Sequence, residues 1–221
     1  CAAILELRML PGIERPGIGI VTPTLKGPAF IIDVGANIDP KPNQLLQYGI
    51  MADAYCRNIL NKVNPSVGLL NIGEEEAKGT DFMREVHELL SKSKLNFIGN
   101  VEGKDLFSGK CDAIISDGFV GNVALKVSES AAEAMQAFLK RRLLSNVMGK
   151  IGLFFLMPSL KRFKKDIDYA EYGGAPLLGV NGVVIIGHGR SNARAIKNAI
   201  RVANEEIERK INDKILGAVK E

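Results

Sequence analysis

The 221-residue chain is 46% hydrophobic and 24% charged, which excludes collagen-like, disordered and disulfide-framework classes and leaves a folded globular protein. Its 29 Lys and Arg against 25 Asp and Glu give a net charge of +4, and with no Trp and 6% aromatic residues this balance points away from nucleic acid. Three cysteines without CxxC spacing (Cys1, Cys56, Cys111) and two distant histidines (His87, His188) predict no metal and no disulfides, hence a reducing, cytoplasmic setting.

Cys1 to Leu10 reads as helix interior, rich in Ala and Leu, without a preceding cap or an initiator methionine, so the chain is expected to be a piece of a longer protein. Pro11-Gly12 and Pro16-Gly17 break it. Short apolar runs at Ile18–Val21 and Ala29–Asp33 predict strands, the second followed by Val34-Gly35-Ala36-Asn37, and Asn43 is expected to cap a helix over Gln44–Leu60. A strand over Ser66–Asn71 precedes the polar loop Ile72–Gly79, and Thr80 is placed to cap a helix over Asp81–Leu90, where His87 reads as a surface residue.

Further strands are predicted over Asn96–Gly99 and Asp112–Ser116, the second leading through Asp117–Asn122 into a long helix from about Val123. The last strand spans Gly182–Ile186, and Ser191 is expected to cap a C-terminal helix running to about Leu216. Continuous Ile, Val and Leu runs alternating with helices indicate strands buried on both faces. The expected fold is a single α/β domain over residues 1–221, doubly wound, with a mostly parallel sheet and helices on both faces. In such sheets ligands bind beyond the carboxyl ends of the strands.

Four strand-end loops combine glycine with Asn, Asp or Glu: Asp33–Asn37, Asn71–Gly79, Gly99–Gly103 and Asp117–Asn122. Each alone reads more simply as a turn with a helix cap, but four along one edge point to a site. Gly118, Gly121 and Asn122 open a helix and form a candidate anion cradle, with Lys126 one turn on as a possible extra charge. The alternative is a plain N-cap by Asp117 or Asn122. Lys78 sits beside three glutamates, where local charge balance competes with ligand binding. His188, framed by Gly187 and Gly189, is balanced between an acid–base role and a turn histidine. Neither a Walker A nor a G-x-G-x-x-G segment between strand and helix is present, which lowers nucleotide readings.

Residues 140–165 carry Leu144, Val147, Met148, Ile151, Phe154 and Phe155 at helical spacing between two basic clusters. Such a segment, too short to span a bilayer, suits an interfacial membrane helix or a dimer interface.

Leu10–Pro16, Asp33–Asn37, Leu70–Gly79, Asn96–Gly103, Asp117–Asn122 and Tyr172–Gly174, six blocks in order along the whole chain, together resemble the bacterial phosphate acyltransferases, the acyl-carrier-protein:phosphate transacylases of phospholipid synthesis. The resemblance implies conversion of long-chain acyl-ACP and inorganic phosphate to acyl phosphate. It implies a fold like that of phosphate acetyltransferases and isopropylmalate dehydrogenases, a homodimer, no cofactor, and peripheral association with the inner face of the cell membrane through residues 140–165. It also implies a glycine-rich N-terminal part that would precede Cys1.

Phosphate attacks a thioester directly, so no enzyme nucleophile is needed, only groups that hold the anion and stabilise the oxyanion. The expected assignments are Lys78 with Gly118, Gly121, Asn122 and Lys126 for phosphate; Asn37 and Asn100 as orienting or oxyanion donors; His188 for proton balance at the departing thiol; and Glu102 and Asp117 as positioning groups. Lys140, Arg141, Arg142, Lys161, Arg162, Lys164 and Lys165 are candidates to steer an acidic carrier protein. The rival readings are a short-chain phosphate acetyl- or butyryltransferase using coenzyme A, which needs no membrane segment, and a non-catalytic membrane-surface scaffold.

Overall fold

The computed structural model describes residues 2–145, 147–167, 173–189 and 191–220, with 161–167 as backbone only. Seven strands form one mixed sheet in the order β4-β3-β5-β2-β1-β6-β7. They are β1 Gly17–Thr24, β2 Gly27–Ile32, β3 Ser66–Leu70, β4 Asn96–Val101, β5 Ala113–Ile115, β6 Ala175–Leu178 and β7 Ile185–Ile186. The helices are α1 Ala2–Leu7, α2 Pro42–Asn58, α3 Asp81–Ser91, α4 Gly118–Leu143, α5 Val147–Ile167, α6 Ala193–Glu208 and α7 Ile211–Lys220, with a 3-10 turn over Gly103–Phe107.

The parallel part is β4-β3-β5-β2. Its residues alternate between two cores. Phe30, Ile32, Val67, Leu69, Ala113 and Ile115 pack against α2, α3 and α7, whereas Ile31, Leu70 and Ile114 face Val34, Leu106 and the Ala124 and Leu125 side of α4. Both faces are therefore apolar, as the unalternating sequence runs require. Phe30 stacks on Tyr55 of α2 with ring centroids 4.3 Å apart.

The other half of the sheet is antiparallel, so the expected mostly parallel sheet is a mixed one. β1 and β2 form an antiparallel hairpin, and β6 and β7 continue the alternation. The turn Thr24-Leu25-Lys26-Gly27 is short enough to reverse the chain but carries a leucine that is 90% exposed, so the sequence there reads as an interrupted apolar stretch. β6 lies in a segment with no separate sequence signal and was not expected. At the outer edge, β4 slips register against β3: Val67 faces Phe97 but Leu69 faces Asn100, and Gly99 takes a φ of 91° to absorb the extra residue.

The first helix is shorter than expected because Arg8 is left-handed (φ 61°) and Met9 bridges to Val180. Thr80 caps α3 as expected, its Oγ1 accepting from the Met83 N–H at 3.3 Å. Helix α2 begins at Pro42 rather than after an Asn43 cap, because Gln44 Oε1 turns back to accept from the Lys41 N–H at 3.0 Å. At the C-terminus Asn192, not Ser191, caps α6 by accepting from the Ala195 N–H at 3.0 Å. Lys210 (φ 51°) then separates α6 from α7. Glu206 of α6 is 2% exposed and its Oε1 has no hydrogen-bond partner among the described residues. Burial pushes its carboxyl up to about 8.

Candidate functional site

The carboxyl ends of the four parallel strands bring the loops after β2, β3, β4 and β5 to one edge of the sheet. Their order across the edge is Glu102, the Ile72–Gly79 loop, Asp117-Gly118 and Asp33–Asn37.

The loop after β2 is organised by Asp33, a residue that the motif contained but that composition alone did not mark as its hub. Asp33 is fully buried. Its Oδ1 accepts from the N–H groups of Ile18, Gly35 and Ala36 at 2.9–3.0 Å, and its Oδ2 from Ala36 at 3.1 Å and Asn37 at 2.7 Å. Burial pushes its carboxyl up from the ordinary range, against the pull of these backbone donors. Asn37 also donates through Nδ2 to Gln44 Oε1 at 2.9 Å.

That loop packs on the start of α4. The Gly118 N–H donates to the Asn37 carbonyl at 2.9 Å, and Asn122 Nδ2 donates to the Val34 carbonyl at 3.0 Å. Gly121 crosses so close that a Cβ there would lie 1.9 Å from the Asp33 carbonyl oxygen. Asp117 is the N-cap of α4, with Oδ1 accepting from the Val120 N–H at 2.8 Å, and the Gly121 N–H donates to the Asp117 carbonyl at 2.9 Å. The Gly118 N–H and the Asn122 amide thus join the two loops, the Gly121 N–H closes the first turn of α4, and Asp117 is its cap. Lys126 is paired with Glu129 at 2.8 Å on the surface of α4.

The loop after β3 carries Lys78, whose side chain is exposed. The Glu75 carbonyl accepts from Asn100 Nδ2 at 2.9 Å and from the Lys78 N–H at 3.0 Å. The Lys78 carbonyl accepts from Asn71 Nδ2 at 3.1 Å. Glu74 bridges Lys104 at 3.1 Å and Lys110 at 3.0 Å, which holds its carboxyl below the usual range. Glu102 pairs with Lys104 at 3.1 Å. Asn100 is 3% exposed with one donor committed inside the fold, so it is placed as a support for the loop rather than as an oxyanion donor.

His188 follows β7 on the antiparallel side of the sheet. β6 runs parallel to β2, β7 antiparallel to both, and Ile186 pairs with Ala175 at the start of β6. From Ile186 the chain runs toward the amino ends of the parallel strands as it enters Gly187-His188-Gly189. His87 lies within α3, edge-on to Phe97 with centroids 5.1 Å apart. Cys56 and Cys111 are buried free thiols, and burial pushes Cys111 up to about 12 and Cys56 higher, so neither is primed for nucleophilic attack.

Helices α4 and α5 expose an apolar surface. Val147, Met148, Phe154 and Phe155 are each at least 70% exposed, with Ile151 and Leu144 less so. Lys140, Arg141 and Arg142 end α4, exposed, while the side chains of Lys161, Arg162, Lys164 and Lys165, and all of Tyr172, lie outside the described residues. No described helix is long and apolar enough to cross a membrane.

A family model described as fatty acid synthesis protein matches residues 1–214. The phosphate acyltransferase of Thermodesulfovibrio yellowstonii is 49% identical over 213 residues, which cover 96% of this chain and 62% of that protein. The phosphate acyltransferase of Aquifex aeolicus is 50% identical over 204 residues, covering 92% and 60%. The chain thus spans about three fifths of the length of these curated relatives. Among solved structures, a phosphotransacetylase from Streptococcus pyogenes superposes with a TM-score of 0.62 at 17% identity, covering 93% of this chain and 58% of that one. A branched-chain phosphotransacylase from Enterococcus faecalis gives 0.53 at 13%, covering 90% and 68%. These two likenesses concern the fold.

Proposed function

The chain belongs to the fatty acid synthesis protein family, and from that premise we propose that it carries the phosphate-handling edge of a phosphate acyltransferase, acting on long-chain acyl-ACP and inorganic phosphate. The observation that supports this reading most directly is the Lys78 loop, firmly anchored at the carboxyl edge beside the N-terminal end of α4, in a chain matched by the family model over residues 1–214.

In this reading the Lys78 ammonium binds phosphate, and the positive end of the α4 dipole favours the anion nearby. A phosphate oxygen attacks the thioester carbonyl carbon, the C–S bond breaks, the acyl phosphate leaves, and the carrier thiolate takes up a proton. Asn37 orients the reactants at the mouth of the same edge. Binding and alignment supply the rate enhancement, since phosphate itself is the nucleophile.

The apolar face of α4 and α5, with Lys140, Arg141 and Arg142 at the end of α4, acts as a peripheral contact with anionic lipid at the inner face of the cell membrane. A homodimer presents two such surfaces side by side, and the basic cluster at Lys140–Arg142 guides the acidic carrier protein.

The test is acyl phosphate formation from palmitoyl-ACP and labelled phosphate, compared with Lys78→Ala. The expected result is turnover with palmitoyl-ACP and a phosphate KM raised by about tenfold or more in the variant. An unchanged phosphate KM removes Lys78 from the site, and turnover of acetyl-CoA but not palmitoyl-ACP replaces the substrate class with that of the coenzyme A enzymes.

A further inference from the structure

Lys78 stands exposed on the polar loop Asn71–Gly79, and it is held there through its backbone. Both peptide groups of Lys78 are tied down. Its N–H donates to the Glu75 carbonyl, and its carbonyl accepts from Asn71 Nδ2. The same Glu75 carbonyl accepts from Asn100 Nδ2, so Asn100 and Lys78 converge on one oxygen. Asn71 directly follows β3 and Asn100 lies within β4, its immediate neighbour in the sheet.

Asn100 is an expensive residue for stability alone. It is 3% exposed, and its Oδ1 is buried with no hydrogen-bond partner among the described residues. An orphaned buried carbonyl oxygen disfavours folding, a cost that an apolar side chain of similar size avoids. The return is the single donor bond to Glu75.

We propose that Asn71 and Asn100 are positioning residues that clamp the loop around Lys78, Asn71 holding the Lys78 carbonyl from the end of β3 and Asn100 of β4 holding the Glu75 carbonyl to which the Lys78 N–H donates, so that its ammonium is presented to inorganic phosphate in one orientation. The inference rests on the reading of Lys78 as a phosphate ligand. Neither asparagine touches the anion. Each acts by limiting the loop conformations over which the lysine stem is distributed, which lowers the ordering cost of binding.

Two readouts test the clamp on the purified protein: the Kd for inorganic phosphate by calorimetry, and amide hydrogen exchange across residues 72–79. Asn100→Ala and Asn71→Ala are each expected to raise the phosphate Kd by about tenfold, and to speed exchange of the Lys78 amide while α2 amides keep their protection. In a Lys78→Ala background the same substitutions are expected to leave Kd unchanged, because the group they position is gone. Asn71 is only partly buried and keeps the test available if Asn100→Ala does not fold.

A raised Kd in Lys78→Ala with wild-type Kd in both asparagine variants overturns the clamp alone. Equal weakening with and without Lys78 also overturns it, since that marks a general structural effect. An unchanged Kd in Lys78→Ala overturns the phosphate reading and this inference together.

Discussion

Gly118 donates its backbone N–H to the carbonyl of Asn37 over 2.9 Å, so the turn that ends β2 and the first turn of α4 form one unit at the sheet edge. The contact is backbone to backbone and needs a close approach, which Gly121 supplies one turn further along α4.

Gly121→Ala is accordingly expected to lower stability by about 1–3 kcal/mol, because its methyl group would lie 1.9 Å from the Asp33 carbonyl oxygen and something must shift. Gly152→Ala is the control: it lies inside α5 with nothing within 4 Å of a new Cβ, and is expected to raise stability by about 0.5–1 kcal/mol through helix propensity. Paired urea titrations read both.

Asp33→Asn keeps the shape of the side chain and removes its acceptor symmetry. One oxygen becomes an NH₂ facing N–H donors, so contacts from Ala36 and Asn37, or from Ile18 and Gly35, are lost. The expected cost is about 2–4 kcal/mol. Phosphate binding is expected to weaken with it, since Asn37 moves with the loop. A wild-type melting curve would contradict this.

Glu206 makes stability fall with rising pH. Its carboxyl titrates at about 8 in the folded protein against 4.5 when unfolded, so between those values the folded state retains a proton that the unfolded state has released. Its contribution is fully present below pH 4.5 and is lost as pH rises through 8. Glu206→Gln removes that slope and is expected to be more stable than the parent by about 4 kcal/mol at pH 8. The two proteins should converge near pH 4, which thermal melts across the range will show.

Phe154→Ser/Phe155→Ser tests the membrane surface. The rings pack edge to face, 5.6 Å between centroids, and both are about three-quarters exposed. Co-sedimentation with phosphatidylglycerol-containing vesicles is expected to drop by about tenfold or more, from the loss of two buried rings, while the Kd for phosphate stays at the parental value.

Local chemistry was legible in the sequence where it is local in space. Thr80 and Asp117 cap helices as their neighbours suggest, and the loops after β2, β3 and β5 follow apolar runs that remain strands. The role of Asp33 was hidden because one of its five contacts, to Ile18, comes from another strand and the burial that gives it weight depends on α4. A buried antiparallel strand and a buried parallel one carry the same apolar run, so the reversal at Thr24–Gly27 and the direction of β7 before His188 leave no periodic trace. Glu206 sits in a helix segment, Asn204-Glu205-Glu206, whose polarity reads as solvent-facing.

The slipped register of β4 has a consequence for association between molecules. An open sheet edge offers a row of unpaired peptide groups that invites another strand. Here one outer strand is kinked at Gly99 by an extra residue, and the other, β7, is two residues long. Neither presents a straight template, so among the described residues neither outer strand offers a long, flat row of peptide groups for strand-to-strand growth.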